Sequence, residues 1–370
     1  MEDNMRTVGI IGGGIIGATA AFYLTKQPDL QVTLFDSGRG QATKAASGII
    51  SPWLSKRRNK RWYSLAQSGA EFYEQLVHDA DLDKSVYEQT GTIVTRKDAQ
   101  AVDELYDLAK SRAKTTSAIG EVRKVSAAEI TDLMPIVSCD ESGIYVSGGA
   151  KINGEGLVEK LLFHAKNNGL KLVNEQVSLV NEYTVRTKSD QFVFSNLVLS
   201  PGAFLKQLLE PLNYHVDIRP QKGQLVDMRI SNQVTDEMPV MMPESENDII
   251  PFKDGIVTIG ATHENDKGFD LTPTNTEINN LLNSGTKFVT ELKSAERLGV
   301  RIGTRGYTSD FAPFFGELTA NMYVAGGLGS SGLTTGPIIG KLISDWISSQ
   351  TPPADLDLLT KPVSNYIYSK

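Results

Sequence analysis

A chain of 370 residues, 40% hydrophobic and 22% charged, is long enough for two globular units and too evenly mixed to be fibrous or disordered. Its formal charge of -7 argues against a nucleic-acid partner, because such binding needs a positive field that neutralises phosphates. One cysteine, Cys139, leaves no intrachain disulfide, cysteine-based zinc site or iron–sulfur cluster and makes the cytoplasm the default compartment.

The chain opens with an expected strand from Thr7 to Ile11, a glycine turn, a helix from Ile15 to Lys26 and a strand from Gln31 to Asp36. The apolar run Val8 to Leu24 imitates a signal peptide, but its glycines and the acidic strand end at Asp36 identify a βαβ unit. No stretch approaches the ~20 apolar residues of a membrane span. Helices are expected at Trp62 to Ala80, Asp98 to Lys114 and, behind a Ser126 cap, Val125 to Met134. Next come a helix at Gly154 to Asn168, a strand at Lys171 to Val173, a hairpin-like stretch from Val177 to Phe194 and a strand at Asn196 to Ser200. Short β runs follow, notably Gly223 to Met228 and Ile256 to Gly260, then a helix at Asn275 to Lys293. The end reads as strand Tyr323 to Ala325, a Gly-rich turn over Gly326 to Gly332 and a helix from Pro337 to Ser348. Nucleotide-binding pieces thus recur at the start, middle and end. The expected architecture is α/β, a Rossmann-type dinucleotide-binding domain (1–83, 146–216, 304–370) with an inserted substrate domain of antiparallel sheet plus helices (84–145, 217–303).

Gly12-Gly13-Gly14-Ile15-Ile16-Gly17 matches G-x-G-x-x-G between strand and helix, with Asp36 about 20 residues on, where a ribose-binding acid belongs. Gly12 permits the tight turn, Gly14 lets backbone approach a pyrophosphate, and Gly17 allows close helix–strand packing. The helix N-terminus stabilises the phosphate charge. At the far end Gly327, Gly329, Ser330, Ser331, Gly332 and Leu333 precede a helix whose positive end suits a negatively charged group of the cofactor.

From Gly38 the chain reads GRGQATKAASGIISP, ending at Pro52. This stretch resembles the segment of the D-amino-acid oxidase and glycine oxidase family that lies along the flavin. The resemblance continues through Gly149 to Leu157, Val198 to Phe204, Arg219 to Gln224, Gly260-Ala261-Thr262, Arg305 to Gly316 and Tyr323 to Pro337. It implies FAD, with Ala42, Thr43, Ala46, Ser47 and Gly48 as flavin contacts and Ser37, Val177 and Gly202 also on the cofactor. Covalent relatives carry a Cys near Arg305; this chain has none, so FAD is expected to be noncovalent. Where relatives often have His, this chain has Leu328.

Arg305 is the expected substrate residue. If its segment is extended, a period of two puts Arg301, Gly303, Arg305 and Tyr307 on one face. A guanidinium holds a carboxylate through two parallel hydrogen bonds. In the resembling oxidases the Arg ahead of a D-x-x-P-x-x-G pattern (here Asp310, Pro313, Gly316) clamps the substrate carboxylate. Relatives place Tyr before an I-x-P triplet, whereas Asp248 precedes Ile249-Ile250-Pro251. Asp248 either attracts a substrate amine or faces water. His263 lies at the cavity mouth or is an ordinary surface histidine. The basic run Lys56 to Arg61 is read mainly as a solvated face, the alternative being attraction of an anion. No metal-ligand constellation is present in the sequence.

The reading is an enzyme that oxidises the C–N bond of a small amino acid or secondary amine by hydride transfer to flavin N5, with oxygen or an electron carrier as acceptor. A homo-oligomer is compatible with it. The rivals are oxidation of a 2-hydroxy acid or polyol phosphate and a flavin-binding protein without turnover.

Overall fold

The computed structural model describes residues 5–40, 42–231, 234–245 and 247–370; Gln41 of the flavin-loop motif lies outside them. The run RTVGII is β-rich and apolar, and Arg6–Ile11 forms the central strand of a six-stranded sheet. It pairs in parallel with Leu30–Phe35 on one side and Asn196–Leu199 on the other. Lys171–Val173 and Met322–Gly326 extend the parallel set, and Phe314–Thr319 closes one edge antiparallel. Helix Ile15–Leu24 is buried at every residue. It is apolar all round because helices Gly154–Asn167 and Gly332–Ser349 cover it from outside while the sheet covers it from within. Burying each large apolar side chain of such a layer contributes roughly 1.5–3 kcal/mol.

An eight-stranded sheet forms the second layer, in the order Glu296–Tyr307, Arg219–Arg229, Ile256–Gly260, Asp248–Pro251, Val240–Met242, Thr92–Arg96, Ser142–Val146, Val122–Val125. Neighbours are antiparallel except for Val240–Met242 with Thr92–Arg96, a parallel pair joining the contributions of 84–145 and 217–303. The strand carrying Arg305 continues in this sheet to Tyr307, past the expected boundary at 303.

Most expected elements occur within a residue or two of their bounds; the run Gly223 to Met228 is part of a longer strand, Arg219–Arg229, and four other elements differ. The helix after Ser126 starts at Ala127, with a full capping box to Glu129, because Val125 belongs to a strand. The stretch after Val177 is a three-stranded meander, not one hairpin. The helix from Asn275 stops at Gly285, and Thr290–Lys293 is a separate 3-10 turn. The last helix begins at Gly332, not Pro337, so Pro337 lies inside it. Proline has no N–H to offer the Leu333 carbonyl. Tyr73 supplies the missing donor, its hydroxyl meeting Leu333 O at 2.6 Å.

Candidate functional site

Between the two sheets runs a cavity of about 650 Å³ that reaches from Asp36 and Ser37 at one end to Arg305, Asp248 and His263 at the other. The first glycine turn forms its floor. Gly12 has φ +102, and a β-carbon there would lie 2.4 Å from Ser200 O. A β-carbon on Gly17 would lie 1.9 Å from Gly12 O, so Gly17 packs under the turn and does not line the cavity. At Gly14 a β-carbon would meet only Thr43 Oγ1, 3.3 Å away, and would project into the open space. Gly12, Gly14, Ile15 and Ile16 line that space, and the Thr43 hydroxyl accepts from Ile15 N at 3.1 Å, capping the helix. Asp36 ends its strand beside the turn, where its Oδ2 would lie 2.8 Å from a β-carbon on Gly13.

The flavin loop continues the wall through Ala42, Thr43, Ala46, Ser47 and Gly48. Ala46 O accepts from Arg301 Nη1 at 2.8 Å, tying the loop to the eight-stranded sheet. Val177 and Gly202 line the cavity from the other side. Gly327, Gly329, Ser330, Ser331, Gly332 and Leu333 close it at the N-terminus of the last helix. Helix Lys60–Asp79 braces this closure, since Trp62 Nε1 donates to Ser331 Oγ at 3.1 Å in addition to the Tyr73 bond. Leu328 also lines the cavity, and its carbonyl accepts from Ser331 Oγ at 2.9 Å.

The turn, the acidic strand end and two helix N-termini therefore converge on one elongated space, and a flavin dinucleotide fits this set. Gly12 to Ile16 would meet the pyrophosphate, Asp36 the ribose, and the loops at Ala42–Gly48 and Gly327–Leu333 the remainder.

The substrate end is built by strand register. Arg305 pairs with Gln221 and Gly303 with Gly223, while Asp248, Gly260, Leu225 and Arg301 align across four strands. Directly paired residues share a face, so Arg305 and Asp248 look into the same cavity. Arg305 donates to Thr262 O. Burial pushes its pKa down, with Tyr307 and Glu264 opposing. No carboxylate lies within 4.0 Å of it among the described residues. Behind it, Glu264 Oε1 accepts from Thr262 Oγ1 and Gln224 Nε2, both at 2.7 Å.

Arg301, on the same face, is already engaged. It meets Asp227 through Nε at 2.9 Å and Nη2 at 3.0 Å. Asp227 is thus its carboxylate partner. Tyr307 is 5% exposed and does not line the cavity; its ring packs against Gly329 and edge-on to Phe311. Asp310 is a staple in the loop, accepting from Thr308 Oγ1 at 3.0 Å and from Ala312 N at 3.1 Å. Asp248 lines the cavity, and its surroundings of protein push its carboxyl up to about 7 through loss of water. His263 is exposed and lines the mouth.

Sequence reasoning underrated Arg57 and overlooked Gly223. Within the basic run, Lys56 pairs with Glu104 and Arg61 donates to Asp357 O, but Arg57 lines the cavity. The signal available was its interleaving with Trp62, over whose ring the guanidinium lies at 4.7 Å. Among the described residues no group of acids, histidines and cysteines could hold a metal ion, and no helix is long and apolar enough to cross a membrane.

The family described as FAD dependent oxidoreductase (DAO) matches residues 7–346. The chain is 34% identical to an uncharacterised oxidoreductase, YurR, of Bacillus subtilis, over 95% of this chain and 97% of that one. It is 27% identical to a glycine oxidase of Pseudomonas putida over 95% and 96% of the two chains. The solved structure of iminodiacetate oxidase from Chelativorans sp. BNC1 superposes with a TM-score of 0.90 at 29% identity, covering 97% of this chain and 98% of that one. The match across nearly the whole chain, on a fold that pairs a glycine-turn α/β layer with a mixed sheet, shows that this protein belongs to the DAO family of FAD-dependent oxidoreductases.

Proposed function

We propose that the protein oxidises the C–N bond of a small amino acid or secondary amine whose carboxylate is held by Arg305. The observation that carries this reading is a half-buried guanidinium in the cavity wall with no carboxylate within 4.0 Å among the described residues. A cation drawn out of water is costly unless paired, and a planar carboxylate meets its two-pronged geometry. Asp248, on the same face of the sheet, is the partner for the substrate nitrogen. The similarity to a glycine oxidase and an iminodiacetate oxidase supports amino-carboxylate chemistry.

FAD, held noncovalently, supplies the two-electron acceptor. Bound in the cavity, FAD would accept the two electrons and the hydrogen of the substrate's α C–H, and the resulting C=N bond would be open to hydrolysis by water. Oxygen or an electron carrier takes the electrons on. The chain's own residues contribute position: Arg305 fixes the carboxylate, and Thr262 and Glu264 fix Arg305. We place the cofactor unit at 1–83, 146–216 and 304–370, the substrate unit at 84–145 and 217–303, and the protein in the cytoplasm.

The test is anaerobic flavin reduction by stopped flow with an amino acid and its decarboxylated amine. Arg305→Ala should keep its FAD spectrum and lose on the order of 2 to 5 kcal/mol in kcat/KM for the amino acid only. Arg305→Lys should recover little. Equal losses for both substrates would make Arg305 structural, and bleaching by 2-hydroxy acids alone would replace the C–N reading.

A further inference from the structure

Three guanidinium groups line this cavity without a carboxylate partner within 4.0 Å among the described residues: Arg39 on the flavin loop, which donates to Gln176 Oε1 at 3.0 Å and stacks on the Phe204 ring, Arg305 on the sheet, and Arg57 at the opening. Arg57 is exposed at the cavity edge, and yet it is held in place. Its Nη2 donates to Ser330 Oγ at 3.1 Å and its plane lies over the Trp62 ring. Trp62 is itself pinned, its indole N–H on Ser331 and its backbone N–H on Asn59 Oδ1 at 3.0 Å. Stacking on an aromatic face leaves the in-plane N–H donors of a guanidinium free for an oxyanion. Ser330, which anchors Arg57, follows Gly329, and the ring of Tyr307, two residues from Arg305, packs against Gly329, so Arg57 and Arg305 belong to the same end of the cavity.

The charges of the wall decide between substrate classes. Of the charged side chains lining this end, Arg57 and Arg305 are cationic and Asp248 is the carboxyl, so with Asp248 ionised the lining is net positive, Glu264 behind it being answered by Lys222 at 4.0 Å. A zwitterion with one carboxylate and one ammonium leaves that charge unanswered. An ammonium bearing two carboxylates answers it.

We propose that Arg57 is a second carboxylate subsite and that the substrate is an amino dicarboxylate, either a secondary amine with two carboxylate arms or an amino acid with a side-chain carboxylate. This rests on the reading of Arg305 given above and narrows its substrate class. One carboxylate lies on Arg305, the other on Arg57, and the nitrogen faces Asp248 between them.

The experiment has a binding arm and a turnover arm, both on the FAD-loaded protein. In the first, thiodiacetate and succinate, which carry no amine to oxidise, are titrated against methylthioacetate and butyrate, and the flavin absorbance is followed. Wild type should bind the better dicarboxylate at least ten-fold more tightly than its monocarboxylate counterpart. In Arg57→Gln that advantage should disappear, whereas Arg305→Gln should weaken both kinds of ligand. Equal weakening of both by Arg57→Gln would mean that the two arginines share one carboxylate and would overturn the proposal. Absence of any Arg57-dependent preference would overturn it equally. In the second arm, iminodiacetate, aspartate, N-methylglycine and glycine are compared as reductants. Reduction by monocarboxylates with no dicarboxylate preference leaves the C–N reading standing and removes the subsite. Arg57-dependent dicarboxylate binding with no reduction by any amine does the reverse.

Discussion

The guanidinium of Arg305 lies over the backbone of Gly223, so closely that a β-carbon there would sit 2.3 Å from Nη2. Gly223 is on the neighbouring strand, one pleat along from the residue that pairs with Arg305. Its missing side chain is the room in which the guanidinium turns toward Thr262. Gly223→Ala should therefore leave the sheet and FAD content intact while displacing Arg305, with kcat/KM for a carboxylate substrate falling by about 10²-fold, as for a misplacement near 1 Å. Steady-state kinetics with flavin quantitation checks this. Wild-type kinetics in the variant would show that Arg305 has another place to rest.

Gly14→Val should abolish FAD retention. Its side chain would project into the cavity at the helix N-terminus, on the approach path of a pyrophosphate, and its β-carbon would meet nothing closer than Thr43 Oγ1 at 3.3 Å. Folding should survive, in contrast to Gly17→Val, whose side chain would collide with Gly12 O. Circular dichroism and flavin absorbance on the two variants separate the effects, and a yellow, fully loaded Gly14→Val protein would sink the assignment of the turn.

Asp36 lines the cavity beside the first glycine turn, next to Gly13. Asp36→Ala should weaken FAD binding by roughly 1.5 to 3 kcal/mol, the range for a hydrogen bond to a charged group. Equilibrium titration of the stripped protein with FAD measures it. An unchanged affinity would assign the ribose to another residue.

Asp248 yields a pH-dependent stability. Its folded carboxyl is pushed up to about 7 by burial, above its ordinary range, so the folded state binds the proton more tightly than the unfolded chain. The ionised form opposes folding: the cost is absent below about pH 4, grows as pH rises through 4 to 7, and is complete above 7. Asp248→Asn should thus match wild type at pH 4.5 more nearly than at pH 8, where it should be more stable by roughly 1 to 3 kcal/mol after allowance for cavity water. Denaturant titrations of the holoprotein at the two pH values supply the comparison. A difference that does not change with pH would mean an ordinary, water-facing carboxyl.

Tyr73→Phe should destabilise the protein by about 1 to 3 kcal/mol, because Leu333 O would lose the donor that compensates for Pro337. Urea unfolding followed by fluorescence reads the loss. FAD affinity should fall with it, since Leu333 sits in the turn that closes the cavity.

Local chemistry made much of this protein legible in its sequence. Strand, glycine turn, helix and Asp36 are near neighbours along the chain, and each glycine's job follows from backbone geometry within a few residues. Period-two alternation likewise put Arg301 and Arg305 on one face before any partner strand was known. Which of the two stays free for a ligand was not local. Asp227 opposite Arg301 and glycine beside Arg305 are set by pairing between distant strands. Pro337 misled for the same reason: its apparent helix start is overridden by a hydroxyl from Tyr73, far away in the chain. Arg57 sits in a run of like charges whose members looked equivalent. Tertiary packing separated them, because only a ring, a serine and a cavity wall brought together from three elements turn one of five similar cations inward. Backbone conformation is decided by neighbours in sequence, whereas the availability of a charge is decided by what the fold places within a few ångströms of it.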